Sequence, residues 1–350
     1  MNHRGTRYRP PALAAVLLLL IGTLVGCTRQ EHPQWRDGVL AAVPYWNFGT
    51  AGLAGQTGRI DTYSPWVYGI AADGTVVPQH PGADTAALRS RPPGTRYVPT
   101  VANALDGTFS YGPVSRVLHD PAARARHVRS LIALAQAPHV SGIDLDYEDL
   151  RAGDRAAFTA LVRQVAAALH ARGRTLSVDL FAKDSAAGYA PRNVAQDYPR
   201  LGRAVDQVRL MAYDYHWETS GPGPISPTPW VRRVVRYATA TIGAGKLVLG
   251  MSLSGYDWVG HRGTDRSAAA LERAATDRHV PVRWDAAAQA PWYRYRDAQG
   301  RRHEVWFEND RSVAAKLALA RSAHLAGVFF WLNEGAADGA IWRAAARGGG

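Results

Sequence analysis

The chain has 350 residues, 47% hydrophobic and 20% charged, and a formal net charge of +12. That apolar content supports a large buried core and excludes a wholly disordered chain, while the single cysteine, Cys27, excludes a disulfide scaffold or a thiolate-rich zinc site. Lys183, Lys246 and Lys316 are the only lysines, so the positive charge is mostly arginine; it is scattered through helical stretches with no basic block beside an aromatic platform, and no nucleic-acid partner is expected.

The first segment reads as a targeting sequence. Arg4, Arg7 and Arg9 precede an apolar run over 11–25, which is short for a membrane span of about 20 residues. The run ends in Leu24-Val25-Gly26-Cys27, and the whole resembles a bacterial lipoprotein signal. The resemblance implies that residues 1–26 are removed as a signal peptide, that 27–37 form a polar tether, and that a lipid on Cys27 anchors the exported protein to the cell-envelope membrane. An uncleaved anchor with an incidental cysteine is the competing reading. Loss of residues 1–26 removes three arginines and no acid, so the formal charge falls from +12 to +9.

From residue 38 onward, short apolar runs alternate with helical patterns. Strands are expected at 39–44, 62–68, 97–101, 142–147, 175–180, 207–213, 246–253 and 327–332. Helical spacing marks 121–136, 154–172, 229–241 and 311–324. Asp154 is placed to cap the second of these helices. Eight strands with helical crossovers predict an α/β chain folded as a (β/α)8 TIM barrel. A doubly wound sheet competes, but Gly49, Gly52 and Gly55 follow an aromatic run and form no phosphate turn ahead of a helix. Residues 257–306 break the rhythm. A helical stretch at 268–276 and strand-like pieces at 292–296 and 304–307 predict a small α+β insertion after strand seven, packed through Trp284, Trp292 and Trp306. It is expected to wall one side of a groove.

The fourth strand holds the chemistry. Asp144, Asp146 and Glu148 recur every second residue in Ser141-Gly-Ile-Asp-Leu-Asp-Tyr-Glu148. On a strand they share one face, with Ile143, Leu145 and Tyr147 on the other. Crowded carboxylates raise one another's pKa, which is how an acid stays protonated near neutral pH. Glu148, last in the run, falls at the rim where barrel chemistry occurs. A solvated acidic edge and a divalent-metal site are the alternatives.

These residues resemble the strand-four signature of family 18 glycoside hydrolases, Asp-x-x-Asp-x-Asp-x-Glu, matched here except that Ser141 replaces the first aspartate. Met211-Ala-Tyr213-Asp214 is similar to the family's strand-six motif, Trp331 to its strand-eight tryptophan, and Tyr45-Trp46 to its aromatic start. The runs Tyr213-Asp-Tyr-His-Trp217 and Gly250-Met-Ser-Leu-Ser-Gly-Tyr-Asp-Trp258 resemble the spore-cortex and cell-wall branch. The resemblance covers about 38–346.

The resemblance implies an enzyme that cleaves bonds beside N-acetylglucosamine-type sugars in peptidoglycan or chitin-like glycans, without a cofactor or metal. Glu148 is implied as general acid and then base, Asp146 as the group that holds the substrate's acetamido N–H, and Asp144 as the buried partner of Asp146. Tyr213 would donate to the acetamido oxygen and Asp214 would contact the distorted sugar. Tyr45, Trp46, Trp217 and Trp331 are candidate sugar-binding residues; Tyr45 and Trp46 face opposite ways if their strand continues, so at most one enters the pocket. The partners implied are an N-acetylated glycan polymer and, through Cys27, a membrane; a monomer is expected. Ser141 cannot share a negative charge, and its presence is expected to ease ionisation of Asp144 and Asp146. A glycan-binding barrel without activity is the competing function, but that state usually lacks the glutamate.

Overall fold

The structure is a computed structural model that describes Met1 and residues 38–187 and 189–346. The expected signal peptide and tether, Cys27 included, lie outside the described residues. No helix among the described residues is long and apolar enough to cross a membrane.

Eight strands form the frame: β1 (Gly38–Pro44), β2 (Thr62–Ile70), β3 (Thr100–Ala102), β4 (Gly142–Asp146), β5 (Thr175–Phe181), β6 (Gln207–Met211), β7 (Leu247–Ser252) and β8 (Gly327–Trp331). Each pairs in parallel with its neighbours in chain order, and β8 returns to pair with β1. The sheet is therefore a closed barrel, as the alternation of strand and helix predicted. The expected strand at 97–101 is divided. Arg96–Tyr97 pairs with β2 and Thr100–Ala102 is the barrel strand. Pro99 between them has no N–H to continue a ladder, although its carbonyl accepts from the Asp144 N–H at 3.1 Å.

The crossover helices include α1 (Pro121–Ala135), α2 (Arg155–His170), α3 (Thr228–Thr241) and α4 (Asp310–Ser322). Asp120 caps α1 by accepting from the N–H groups of Ala122 and Ala123, and Asn309 caps α4. Asp154 does not cap α2 as expected. Its own backbone is already helical, so its carboxylate turns back to accept from the Arg151 N–H at 2.8 Å and meets His119 at 2.7 Å. The main core lies between barrel and helices. Ile143, Leu145 and Tyr147 point into it with no exposed surface, beside Phe158, Leu161 and Val162 of α2.

Behind β4, α1 supplies a buried polar clasp. His127 Nδ1 lies 2.9 Å from the Gly74 carbonyl, which can only accept, so Nδ1 carries the proton. Nε2 then accepts from the Tyr147 hydroxyl.

The insertion after β7 is a five-stranded antiparallel sheet with one helix, Ala268–Asp277. Its strands are Ser254–Val259, Arg262–Ser267, Arg283–Asp285, Ala290–Arg296 and Arg302–Phe307. One face packs under the helix through Leu271, Tyr293, Val305 and Phe307. The other gathers Tyr256, Trp258, Ala290 and Trp306 against Ile225. Trp292 stacks on Trp306 with centroids 5.5 Å apart, whereas Trp284 lies under the Arg311 guanidinium at 3.8 Å. A buried ion pair, Lys316 Nζ to Glu308 at 2.7 Å, fastens the exit of the sheet to α4.

Candidate active site

β4 ends at Asp146, and Glu148 stands two residues beyond it at the C-terminal rim of the barrel. Asp149 then adopts φ 53°, a left-handed turn that aspartate tolerates, and the chain leaves the strand direction. Asn103, just past β3, fixes the backbone of Glu148 from both sides. Its Oδ1 accepts the Glu148 N–H at 2.8 Å and its Nδ2 donates to the Glu148 carbonyl at 2.9 Å.

The three acids sit at different depths. Asp144 is fully buried and surrounded by donors: Arg209 Nη1 at 2.9 Å and Thr100 Oγ1 at 3.0 Å reach its Oδ2, and Ser177 Oγ reaches its Oδ1. Asp146 is buried with one donor, the Trp66 indole N–H, 2.8 Å from Oδ2. Its other oxygen, Oδ1, has no partner among the described residues. Burial pushes the Asp146 carboxyl up to about 7; the Trp66 bond opposes this, the Asp144 charge adds to it and Arg209 opposes it. Burial, helped by the charge of Asp146, pushes Glu148 well above the usual carboxylate range. Asp179 of β5 is raised in the same way, first by burial and then by Asp144.

The last residues of β6 lead to Tyr213, whose ring meets Phe329 edge-on at 6.3 Å. Burial raises its phenol well above the ordinary value. Asp214 takes φ 55° and accepts from the Tyr256 hydroxyl at 3.1 Å. Burial pushes its carboxyl up to about 6, against the pull of that bond.

Above the column opens a groove lined by Asp146, Glu148, Tyr213 and Asp214 together with Trp46, Trp66, Trp217, Trp230 and Trp331. The sequence-based candidates thus converge, with two exceptions. Asp144 lies beneath the groove, behind Asp146. Tyr45 does not line it: β1 stops at Pro44, and a 3-10 turn over Tyr45–Asn47 swings Trp46 to the groove, where its indole N–H donates to the Asn333 carbonyl at 2.9 Å. Tyr45 instead stacks on His80 at 5.7 Å. His216 braces its loop through the Gly221 carbonyl at 3.2 Å.

Two further expectations need correction. Among the described residues, none of 257–306 lines the groove. The insertion bears on it indirectly, through Tyr256 on Asp214 and through Asp265 on Asn333. Ser141 precedes β4 and is out of phase with Asp144, so it stands outside the acidic column; Arg209 supplies the column's counter-charge.

Trp66, Asn103, Asp179 and Arg209 were not singled out in the sequence. Two of them carried a signal. Ser177 and Asp179 on β5, and Gln207 and Arg209 on β6, are polar residues at alternate positions of otherwise apolar strands, the mark of an inward polar face. Among the described residues, no group of His, Cys, Asp and Glu is arranged to hold a metal.

The profile of the glycosyl hydrolases family 18 matches residues 74–334. The chain belongs to glycosyl hydrolase family 18. The family match takes in β3 to β8 and every acid of the column. Among family 18 relatives, the chain is 35% identical to the cortical fragment-lytic enzyme of Bacillus subtilis over 221 residues, 61% of this chain and 51% of that one. The spore cortex-lytic enzyme SleL of Bacillus cereus superposes with a TM-score of 0.79 at 27% identity, covering 88% of this chain and 73% of the other. A chitinase from Chromobacterium violaceum gives 0.80 at 29% identity, covering 89% and 98%. The chain spans about half the length of the curated relatives it matches.

Proposed function

We propose that this chain is a lipid-anchored glycosidase that cleaves β-1,4 bonds beside N-acetylglucosamine-type sugars in peptidoglycan or chitin-like glycans. The observation that carries this reading is the free Oδ1 of buried Asp146 beside Glu148, beneath a tryptophan-lined groove. A buried carboxylate oxygen without a donor is costly unless a ligand supplies one. An acetamido N–H is such a donor.

In this reading Glu148, held neutral by its surroundings, protonates the leaving oxygen as the bond breaks. The acetamido oxygen of the sugar attacks its own anomeric carbon and forms an oxazolinium ion. Asp146, as the anion, accepts the N–H and supports the positive charge; Tyr213 donates to the acetamido oxygen and Asp214 contacts the distorted sugar. Glu148, now a carboxylate, takes a proton from water, and the water opens the ring with retention. Activity therefore needs Asp146 ionised and Glu148 protonated, which predicts a bell-shaped pH profile. Trp46, Trp217 and Trp331 offer flat faces to sugar rings. The cleavable signal 1–26, tether 27–37 and barrel 38–346, with lipid on Cys27, complete the proposal and place the enzyme at the cell envelope.

The test is hydrolysis of chito-oligosaccharides and of purified peptidoglycan by the mature protein. Glu148→Gln should lower the rate by about 10²–10⁴, and Asp146→Asn should also cost heavily. NMR of the new reducing end, taken before mutarotation, should show the β-anomer first. An α-anomer as first product, or full activity on a glycan whose acetamido groups are replaced by amines, would defeat the mechanism. Binding without hydrolysis would leave a glycan-binding barrel.

A further inference from the structure

We propose that Arg209 is a positioning residue that pairs with Asp144 at the base of the acidic column, favours the anion of Asp146 above it, and so sets the acid limb of the pH profile. The kinetic part of this inference rests on the glycosidase reading.

The geometry is asymmetric. Arg209 is 1% exposed, and its Nη1 both contacts Asp144 Oδ2 at 2.9 Å and donates to Ser64 Oγ at 2.8 Å. Ser64 Oγ is itself turned to donate to the Val98 carbonyl. A guanidinium has no acceptor atom, so a proton on that oxygen of Asp144 would meet an N–H head-on. Thr100 and Ser177 complete a shell of donors. Asp146 and Asp179, by contrast, each keep a buried oxygen without a partner among the described residues. The carboxyls are thus sorted by their surroundings: one is saturated with donors and a cation, and its neighbours are left to share protons.

Other titratable groups surround this pair, most of them acids. Asp146 stands above it on β4 and Glu148 just past that strand, Asp179 beside it on β5, and Tyr213 and Asp214 beyond the end of β6. Arg192 lines the groove above, and its nearest ion pair is with Asp149 at 3.4 Å. From the opposite end of the barrel, Arg96 and Asp206 line a small cavity that Arg209 also borders. Arg96 donates there to Thr62 at 3.0 Å and feels the charge of Asp61. Only Arg209 makes an ion pair with Asp144 among the described residues. Its positive charge also favours the anion of Asp146, the form the reaction needs.

The decisive measurement is kcat/KM against pH for the wild type, Arg209→Met, Arg209→Lys and Asp144→Asn, with thermal unfolding of each. Carbon-13 NMR titration of labelled aspartate carboxyls in the same proteins gives a readout that needs no turnover. Arg209→Met should move the acid limb up by roughly one pH unit and leave the basic limb, which belongs to Glu148, in place. Arg209→Lys should restore the limb. Asp144→Asn should move it down, because an unopposed guanidinium then faces Asp146. A purely structural role would lower stability or kcat without displacing the limb.

Coincident acid limbs in the wild type and a folded Arg209→Met protein would overturn the proposal. Should Arg209→Met not fold, Asp144→Asn decides: an unmoved limb means that the charges of this pair do not govern Asp146, and the proposal fails. A wild type inactive on every acetamido glycan would remove the glycosidase reading instead. The NMR titration then stands alone, and an Asp146 carboxyl with the same midpoint in the wild type and in Arg209→Met would overturn the role of Arg209.

Discussion

At the scale of single residues, the acid at the rim depends on a side chain from another strand. Asn103 holds both backbone groups of Glu148, yet touches the reaction only through that backbone. Replacing it with alanine leaves the Glu148 N–H and carbonyl to water and lets the carboxyl drift. Misplacement on the scale of an ångström costs up to about 100-fold in rate. Asn103→Ala should therefore lower kcat by between about 10- and 100-fold while the pH limbs stay where they were, a pattern that steady-state kinetics across pH can separate from altered ionisation. The column itself was legible in the sequence, because spacing by two on an apolar strand puts Asp144, Asp146 and Glu148 on one face. Asn103 was not. It follows a three-residue strand too short to show a period, and its role comes from β3 lying beside β4, a neighbour relation that no local pattern records.

At the scale of elements, β4 is gripped from behind by α1. His127 is buried and neutral; burial lowers its pKa from 6.5 to about 4, against a smaller opposing effect from its bond to Gly74. The unfolded chain binds a proton at this histidine near pH 6.5, whereas the folded one does not until about pH 4. The folded state thus keeps its full stability above pH 6.5 and loses it as pH falls from 6.5 toward 4, in total by about 3 kcal/mol. Urea unfolding at pH 7 and pH 5 should show this loss in the wild type. His127→Gln should be less stable at pH 7 but much flatter between the two. An equally steep fall in both proteins would assign the acid sensitivity to other groups. Helix α1 was foreseen from its apolar spacing, but the histidine inside it gave no sign, since its partners Gly74 and Tyr147 are 53 and 20 residues away. The insertion was expected to pack through Trp284, Trp292 and Trp306; Trp292 and Trp306 do stack on each other, whereas Trp284 packs against Arg311 of α4. Its link to the site through Tyr256 and Asp265 was hidden, because both sit in strands whose pairing is set by the whole sheet.

At the scale of the molecule, the barrel closes because each strand finds its neighbour in chain order, and that order was readable from eight apolar runs. The boundary between Arg96–Tyr97 and Thr100–Ala102 was the exception; one proline shifts the ladder there. Attachment to the envelope is argued from residues outside the described structure. Cys27→Ala should leave the protein in the soluble fraction or as an unprocessed precursor. Mass spectrometry should find a lipid on the N-terminal cysteine of the wild type, and an unmodified peptide reading through Cys27 would defeat the anchor.

The two-sidedness of β4 also constrains how such a chain can change over generations. After Gly142, two acids face the barrel interior and two aliphatic residues face the helices in strict alternation. A single inserted or deleted residue within that strand exchanges the two sets, as a frameshift exchanges codons. Aliphatic side chains would enter the groove and carboxylates would enter a dry core. Descendants can lengthen or trim the loops above the barrel at little cost, but between Gly142 and Asp146 they can vary only by substitution. Length differences among relatives should accordingly gather at the rim and leave this stretch without gaps.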